Sequence, residues 1–144
     1  MQQPGARALI EQAREVALFS YSPYSGFPVG AALLCADGTV VLGTNVENRS
    51  FGLANCAERS ALFAAVTQGK RKFSAIAVAC PRSDVPVSPC GACRQALSEF
   101  CPPEMPVYFA GKDGEYRETT IGELQSECNQ MPGLILFACD TSDE

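Results

Sequence analysis

Two cysteines three residues apart, in "SPCGACRQAL" at 88–97, have the side-chain type and spacing to hold a metal ion. Cys90 and Cys93 fall at i and i+3 of an expected helix start, so both sulfurs face one side and can reach the same cation. Zinc completes its tetrahedron with histidine or more cysteine, and this chain has no histidine. Any third protein ligand must come from the remaining six of its eight cysteines or from carboxylates. Taken alone, the pair suits equally a thioredoxin-like redox motif, a closed structural zinc knuckle, or two core cysteines that happen to be neighbours.

A third thiol stands in "NCAERSA" at 55–61, where Cys56 opens an Ala-rich periodic stretch and Glu58 follows two residues later. Three cysteines leave one tetrahedral position for water, the arrangement of catalytic rather than closed structural zinc. Water activated there must give a proton to a base, and without histidine Glu58 is the natural candidate. The competing account makes Glu58 a first-turn acid that only favours the helix dipole.

The elements that must position these groups show as periodic runs. Residues 6–20 place apolar side chains on one helical face and charges on the other. "FPVGAALLCADGTVVLGTNVEN" at 27–48 reads as two strands about a tight turn at Asp37 and Gly38. An Ala-rich helix runs from Cys56 to a stop at Gly69, and "FSAIAVAC" at 73–80 has the unbroken apolar character of a strand covered on both faces. A helix from Cys90 to about Phe100 and a short strand, "PVYFAG" at 106–111, follow. This order implies helices packed on a mixed sheet, in a single domain over residues 1–144.

Composition narrows the partners. The chain is 47% apolar and 19% charged, which suits a globular protein, and its net charge of -5 disfavours nucleic acid, whose phosphates call for clustered Lys and Arg. The small basic run at 70–72, "KRK", reads as the solvated end of a helix. The longest apolar run, "VGAALLCA" at 29–36, is too short to cross a bilayer, and no stretch resembles a signal peptide. No membrane association and a cytoplasmic location are therefore expected. In a reducing compartment the cysteines divide into metal ligands and buried apolar fillers, the latter being Cys35, Cys80, Cys101, Cys128 and Cys139.

C-A-E followed by P-C-x-x-C resembles the signature of the zinc-dependent cytidine deaminases in its three-cysteine form. "YSPYSGFPVGAAL" at 21–33, "NVEN" at 45–48, "CAERSA" and "PCGACRQ" are similar, in the same order, to motifs of the small homotetrameric members. The resemblance implies a three-layer α/β/α sandwich around a mixed, roughly five-stranded sheet. It also implies one Zn2+ per chain on Cys56, Cys90 and Cys93, and hydrolysis of cytidine and 2'-deoxycytidine to the uridine forms with release of ammonia. On this likeness Glu58 shuttles protons from the activated water to ring N3 and then to the departing amino group. The backbone N–H of Ala57 holds the 2-keto oxygen, Asn45 and Glu47 grip the ribose hydroxyls, and Phe27 packs the base.

Three thiolates leave the metal site formally negative, so Arg59 and Arg94, each directly after a motif residue, are candidates to withdraw charge by donating to sulfur. The competing account makes them surface residues or oligomer contacts. After about residue 125 the chain departs from the family pattern; Phe137 is the candidate for an aromatic that closes a neighbour's pocket, against a plain buried strand at "LILFAC". A blasticidin-type or nucleic-acid cytosine deaminase would share the zinc core, and a non-catalytic zinc-binding module is the more distant rival.

Overall fold

The computed structural model describes residues 4–113 and 115–130. Helix α1 (Ala6–Val16) leads through a 3-10 turn (Ala17–Phe19) to strands β1 (Gly30–Cys35) and β2 (Val40–Thr44). Then come α2 (Ala57–Thr67), β3 (Phe73–Ala79), α3 (Gly91–Phe100), β4 (Pro106–Ala110), β5 (Tyr116–Thr120) and α4 (Ile121–Gln130). The five strands form one sheet in the order β2-β1-β3-β4-β5. Only β3 and β4 run parallel, Ile76 opposite Val107, and α3 lies on the connection between them. The sheet is therefore mixed, as the resemblance implied.

Side chains alternate across β1. Ala31, Leu33 and Cys35 face a core shared with Ala61 and Leu62 of α2, Leu97 of α3 and Leu124 of α4. Ala32 and Leu34 face the opposite core with Leu9, Ile10 and Ala13 of α1. A strand buried on both faces needs an apolar residue at every position, which is why β1 and β3 appear in the sequence as continuous apolar runs. The result is a three-layer sandwich with α1 on one side of the sheet and α2, α3 and α4 on the other.

Two glycines bear on the site. Gly38 takes φ +93° in the turn from β1 to β2, where Cys35 N–H donates to Thr39 O at 2.8 Å and Asp37 accepts from Thr39 N–H at 3.0 Å. Gly43 lies beneath α2. A Cβ there would stand 2.4 Å from Ala61 N and 2.6 Å from Ala57 O, so only glycine lets the start of α2 settle backbone-to-backbone on β2. That approach sets Cys56 and Glu58 beside the chain leaving β2, which carries Asn45 and Glu47.

Several elements differ from expectation. The first α-helix stops at Val16, and the 3-10 turn carries Leu18 and Phe19 into solvent. Strand β5, "YRETT", is polar and has no fully buried residue, so it lacked any apolar signal and was not expected. The basic run does sit at the end of α2: Lys70 pairs with Asp37 at 2.6 Å, and Arg71 Nη1 donates to Val66 O at 2.8 Å. Phe137, "LILFAC" and Cys139 lie outside the described residues, as does the side chain of Cys128.

Candidate functional site

Cys56 and Cys90 occupy equivalent places: each is the extended residue immediately before a helix, with φ and ψ of -82° and 157° before α2 and of -70° and 167° before α3. Each therefore presents its sulfur where the unpaired amides and positive dipole end of a helix favour a thiolate. Cys93, one turn into α3, is fully buried and aims back at the same point. Cys56 Sγ lies 3.8 Å from Cys90 Sγ, Cys90 Sγ lies 3.2 Å from Cys93 Sγ, and all three fall within 4.8 Å of one another.

This donor set fits zinc. Sulfurs about 2.3 Å from a shared tetrahedral ion stand about 3.8 Å apart, the separation of the first pair. The cluster's own electrostatics agree. Hydrogen bonding with Cys56 and Cys93 holds the Cys90 thiol far below its ordinary value, while the contacts with Cys56 and Cys90 push Cys93 upward. One negative sulfur shuts out the next, so three thiolates at this spacing need a cation among them.

Glu58 stands in the first turn of α2 with only 5% of its surface exposed. Burial pushes its carboxyl up to about 7, with the charge of Cys90 adding to the rise and Cys93 and Arg59 opposing it. A first-turn acid that served only the helix dipole would sit in water. A buried carboxyl that titrates near neutrality beside a thiol cluster is instead suited to take up and release a proton.

Arg59 Nη2 donates to Cys56 Sγ at 3.2 Å, as expected of a guanidinium that withdraws charge from a ligand. Burial works against its charge, but the Cys56 hydrogen bond and the neighbouring Cys93 sulfur outweigh that and hold it protonated above its ordinary range. Arg94 donates to oxygen acceptors. Its side chain runs back along α3, donating from Nε to Pro89 O at 2.8 Å, from Nη2 to Ser88 Oγ at 2.9 Å and from Nη1 to Leu124 O at 3.2 Å. It ties down the approach to Cys90 from the backbone and joins it to α4, and these bonds hold no sulfur.

A cavity of about 370 Å3 opens over this centre, large enough for a small organic ligand. Glu58, Ala57, Cys56 and Cys90 form one end of it, and Asn45, Glu47 and Phe27 form another part of the wall. Asn45 and Glu47 flank Val46, which bridges Tyr21 on one side and Asn55 on the other, so this stretch stays extended past β2 and both polar side chains turn inward. Hydrogen bonds from Ser25 and the backbone at Tyr24 and Ser25 hold the Glu47 carboxyl below its ordinary value. Ala57 begins α2, and its N–H is one of those an α-helix leaves without an internal partner.

The sequence did not connect Cys80, Ser88 or Phe51 with the site, yet all three line the cavity. Cys80, expected as core filler, is buried and does double duty as wall, its thiol pushed up to about 12 by burial and by Glu58. The signal that would have found it is topological: it follows the carboxyl end of β3, where sheets with parallel strands place their ligands. Phe51 is 87% exposed in a 3-10 turn beside the cavity mouth.

The comparisons with known proteins agree with this geometry. Residues 5–109 match the family described as the cytidine and deoxycytidylate deaminase zinc-binding region. A cytidine deaminase from Sporosarcina psychrophila is 50% identical over 116 residues, 81% of this chain and 85% of that protein. One from Halalkalibacterium halodurans is also 50% identical over 116 residues, covering 81% of this chain and 87% of its own. The crystal structure of cytidine deaminase from Burkholderia pseudomallei superposes with a TM-score of 0.81 at 47% identity, covering 84% of this chain and 96% of that one. With this match spanning all three cysteines and the buried glutamate, the chain belongs to the cytidine and deoxycytidylate deaminase family.

Proposed function

We propose that this protein hydrolyses free cytidine and 2'-deoxycytidine to uridine and 2'-deoxyuridine, releasing ammonia. The observation that carries this reading is Glu58, buried against three convergent thiols at the end of a nucleoside-sized cavity. Cys56, Cys90 and Cys93 would hold a zinc ion, which would supply Lewis-acid activation of water at neutral pH.

The chain's own groups do the rest. Glu58 accepts a proton from the attacking water and hands it to ring N3, then carries the next to the amino group leaving C4. One carboxyl serves both transfers because N3 and the amino group are adjacent on the ring. Arg59 offsets the negative charge of the sulfurs. The Ala57 N–H faces the 2-keto oxygen, and Phe27 packs against the base. Asn45 and Glu47 take the sugar hydroxyls, and the charge on Glu47 repels a phosphate at the sugar, favouring nucleosides over nucleotides.

The reading extends to assembly and location. Phe51 and Leu53, 87% and 72% exposed in one 3-10 turn, are apolar surface of the kind that subunit contacts cover, which supports the homotetramer implied by the sequence motifs. The six cysteines whose side chains are described are all free thiols, consistent with a reducing cytoplasm. Among the described residues, no helix is long and apolar enough to cross a membrane.

The test is a substrate panel followed by the absorbance change of deamination. Cytidine and deoxycytidine should turn over readily, while blasticidin S and a single-stranded oligonucleotide react far more slowly. Preferential turnover of either of the last two would replace this reading.

A further inference from the structure

Asn45 and Glu47 do not stand free at the cavity wall; the segment 20–29 grips both. Glu47 Oε1 accepts from Tyr24 N–H at 2.9 Å and from Ser25 N–H at 3.1 Å, and Oε2 accepts from the Ser25 hydroxyl. The same Ser25 oxygen accepts from Phe27 N–H at 3.0 Å. Asn45 Oδ1 accepts from Val29 N–H at 2.9 Å and from Ser20 Oγ at 2.5 Å, and its Nδ2 donates to Phe27 O at 2.9 Å.

Counting acceptors and donors shows what is left for a ligand. An ionised carboxylate offers about four acceptor directions, and three of those on Glu47 are used. The amide oxygen of Asn45 has both lone pairs occupied and its nitrogen keeps one N–H. The pair therefore presents one acceptor beside one donor, the complement of a hydroxyl that donates to Glu47 and accepts from Asn45.

We propose that Ser25 is a positioning residue for substrate, locking the Glu47 carboxylate and the Phe27 backbone in the orientation that receives the sugar-bearing end of a nucleoside. This rests on the reading above that Asn45 and Glu47 take sugar hydroxyls. Ser25 does not line the main cavity; it acts through two residues that do. The backbone N–H groups fix only Oε1, so without the Ser25 hydroxyl the carboxylate is free to turn about its last bond and Oε2 loses its register. Phe27 N–H loses its acceptor in the same step. Because Ser25 is exposed, its hydroxyl is not needed to fill the core.

The experiment is steady-state kinetics of Ser25→Ala, Ser25→Thr and Glu47→Gln on cytidine and on 2',3'-dideoxycytidine, whose sugar lacks both ring hydroxyls, with zinc counted in each sample. Ser25→Ala should raise KM for cytidine about 10-fold, the scale of a lost hydrogen bond to a charged group. Its kcat should change by less than about twofold and its zinc content not at all, and Ser25→Thr should restore KM. The penalty should be several-fold smaller for dideoxycytidine, on which only the part that acts through Phe27 remains. An equal loss on both nucleosides, a fall confined to kcat, no change, or failure of threonine to rescue would overturn the proposal. If Glu47→Gln separates the two nucleosides and Ser25→Ala does not, Ser25 alone is excluded. If neither separates them, the sugar reading of Asn45 and Glu47 fails with it.

Discussion

The two ends of the cavity are built by different physics. At the metal end, Cys56 and Cys90 precede helices whose buried faces, through Ala61, Leu62 and Leu97, are part of the main core. At the other end, Asn45 and Glu47 follow the last residue of β2 and take their orientation from hydrogen bonds to a half-exposed segment. Packing energy thus sets the positions of the thiols, whereas individual polar contacts set those of Asn45 and Glu47. Damage at the first end should cost metal, rate and stability together; damage at the second should cost substrate affinity with the fold intact.

The sharpest break in that contrast comes from Cys90→Ser, which should abolish both zinc retention and activity, measured by metal analysis beside a deamination assay. Cys35→Ser, at a buried cysteine away from the cluster, should keep one zinc per chain. The reverse pattern would reassign the ligands.

Glu58→Gln comes next. The amide keeps the shape and cannot shuttle protons, so kcat should fall about 100- to 10,000-fold with zinc and nucleoside binding retained. Near-normal kcat would remove Glu58 from the chemistry.

Arg59→Gln should lose about 10- to 100-fold in rate and still hold zinc, the usual scale for a group that tunes a ligand. An unchanged rate would show that the hydrogen bond to Cys56 does not matter to turnover.

The smallest differences concern stability. Leu62→Ala should cost about 2–5 kcal/mol in denaturant unfolding, because α2 then covers a void. Ser25→Ala, on the exposed segment, should cost only about 1 kcal/mol, the net scale of its lost hydrogen bonds. Equal losses would erase the distinction between the two ends.

This same distinction governs what could be read from the residues alone. Cys56, Glu58, Cys90 and Cys93 were legible because ligand spacing on a helix start is a local property: the cysteines need only i and i+3 or a single helix entrance. The sheet was legible where strands are doubly buried, as in β1 and β3, and invisible at β5, whose alternating polar residues carry no burial signal. Arg94 went to the Pro89 carbonyl because a long side chain on the first turn of a helix can reach back to the loop before it, a choice that adjacency in sequence does not reveal. Ser25 and Ser20 were missed for a related reason. Their partners lie more than twenty residues away, and serines in a loop look like solvent-facing filler until the fold brings Glu47 and Asn45 to them.

If one zinc on three thiolates makes this chain a nucleoside deaminase, returning zinc stepwise to chelator-stripped protein should restore the conversion of cytidine to uridine in step with the metal bound. Activity should start near zero, rise linearly and level off at one zinc per chain. Full activity before any zinc is added, or a rise that continues past one equivalent, would contradict it.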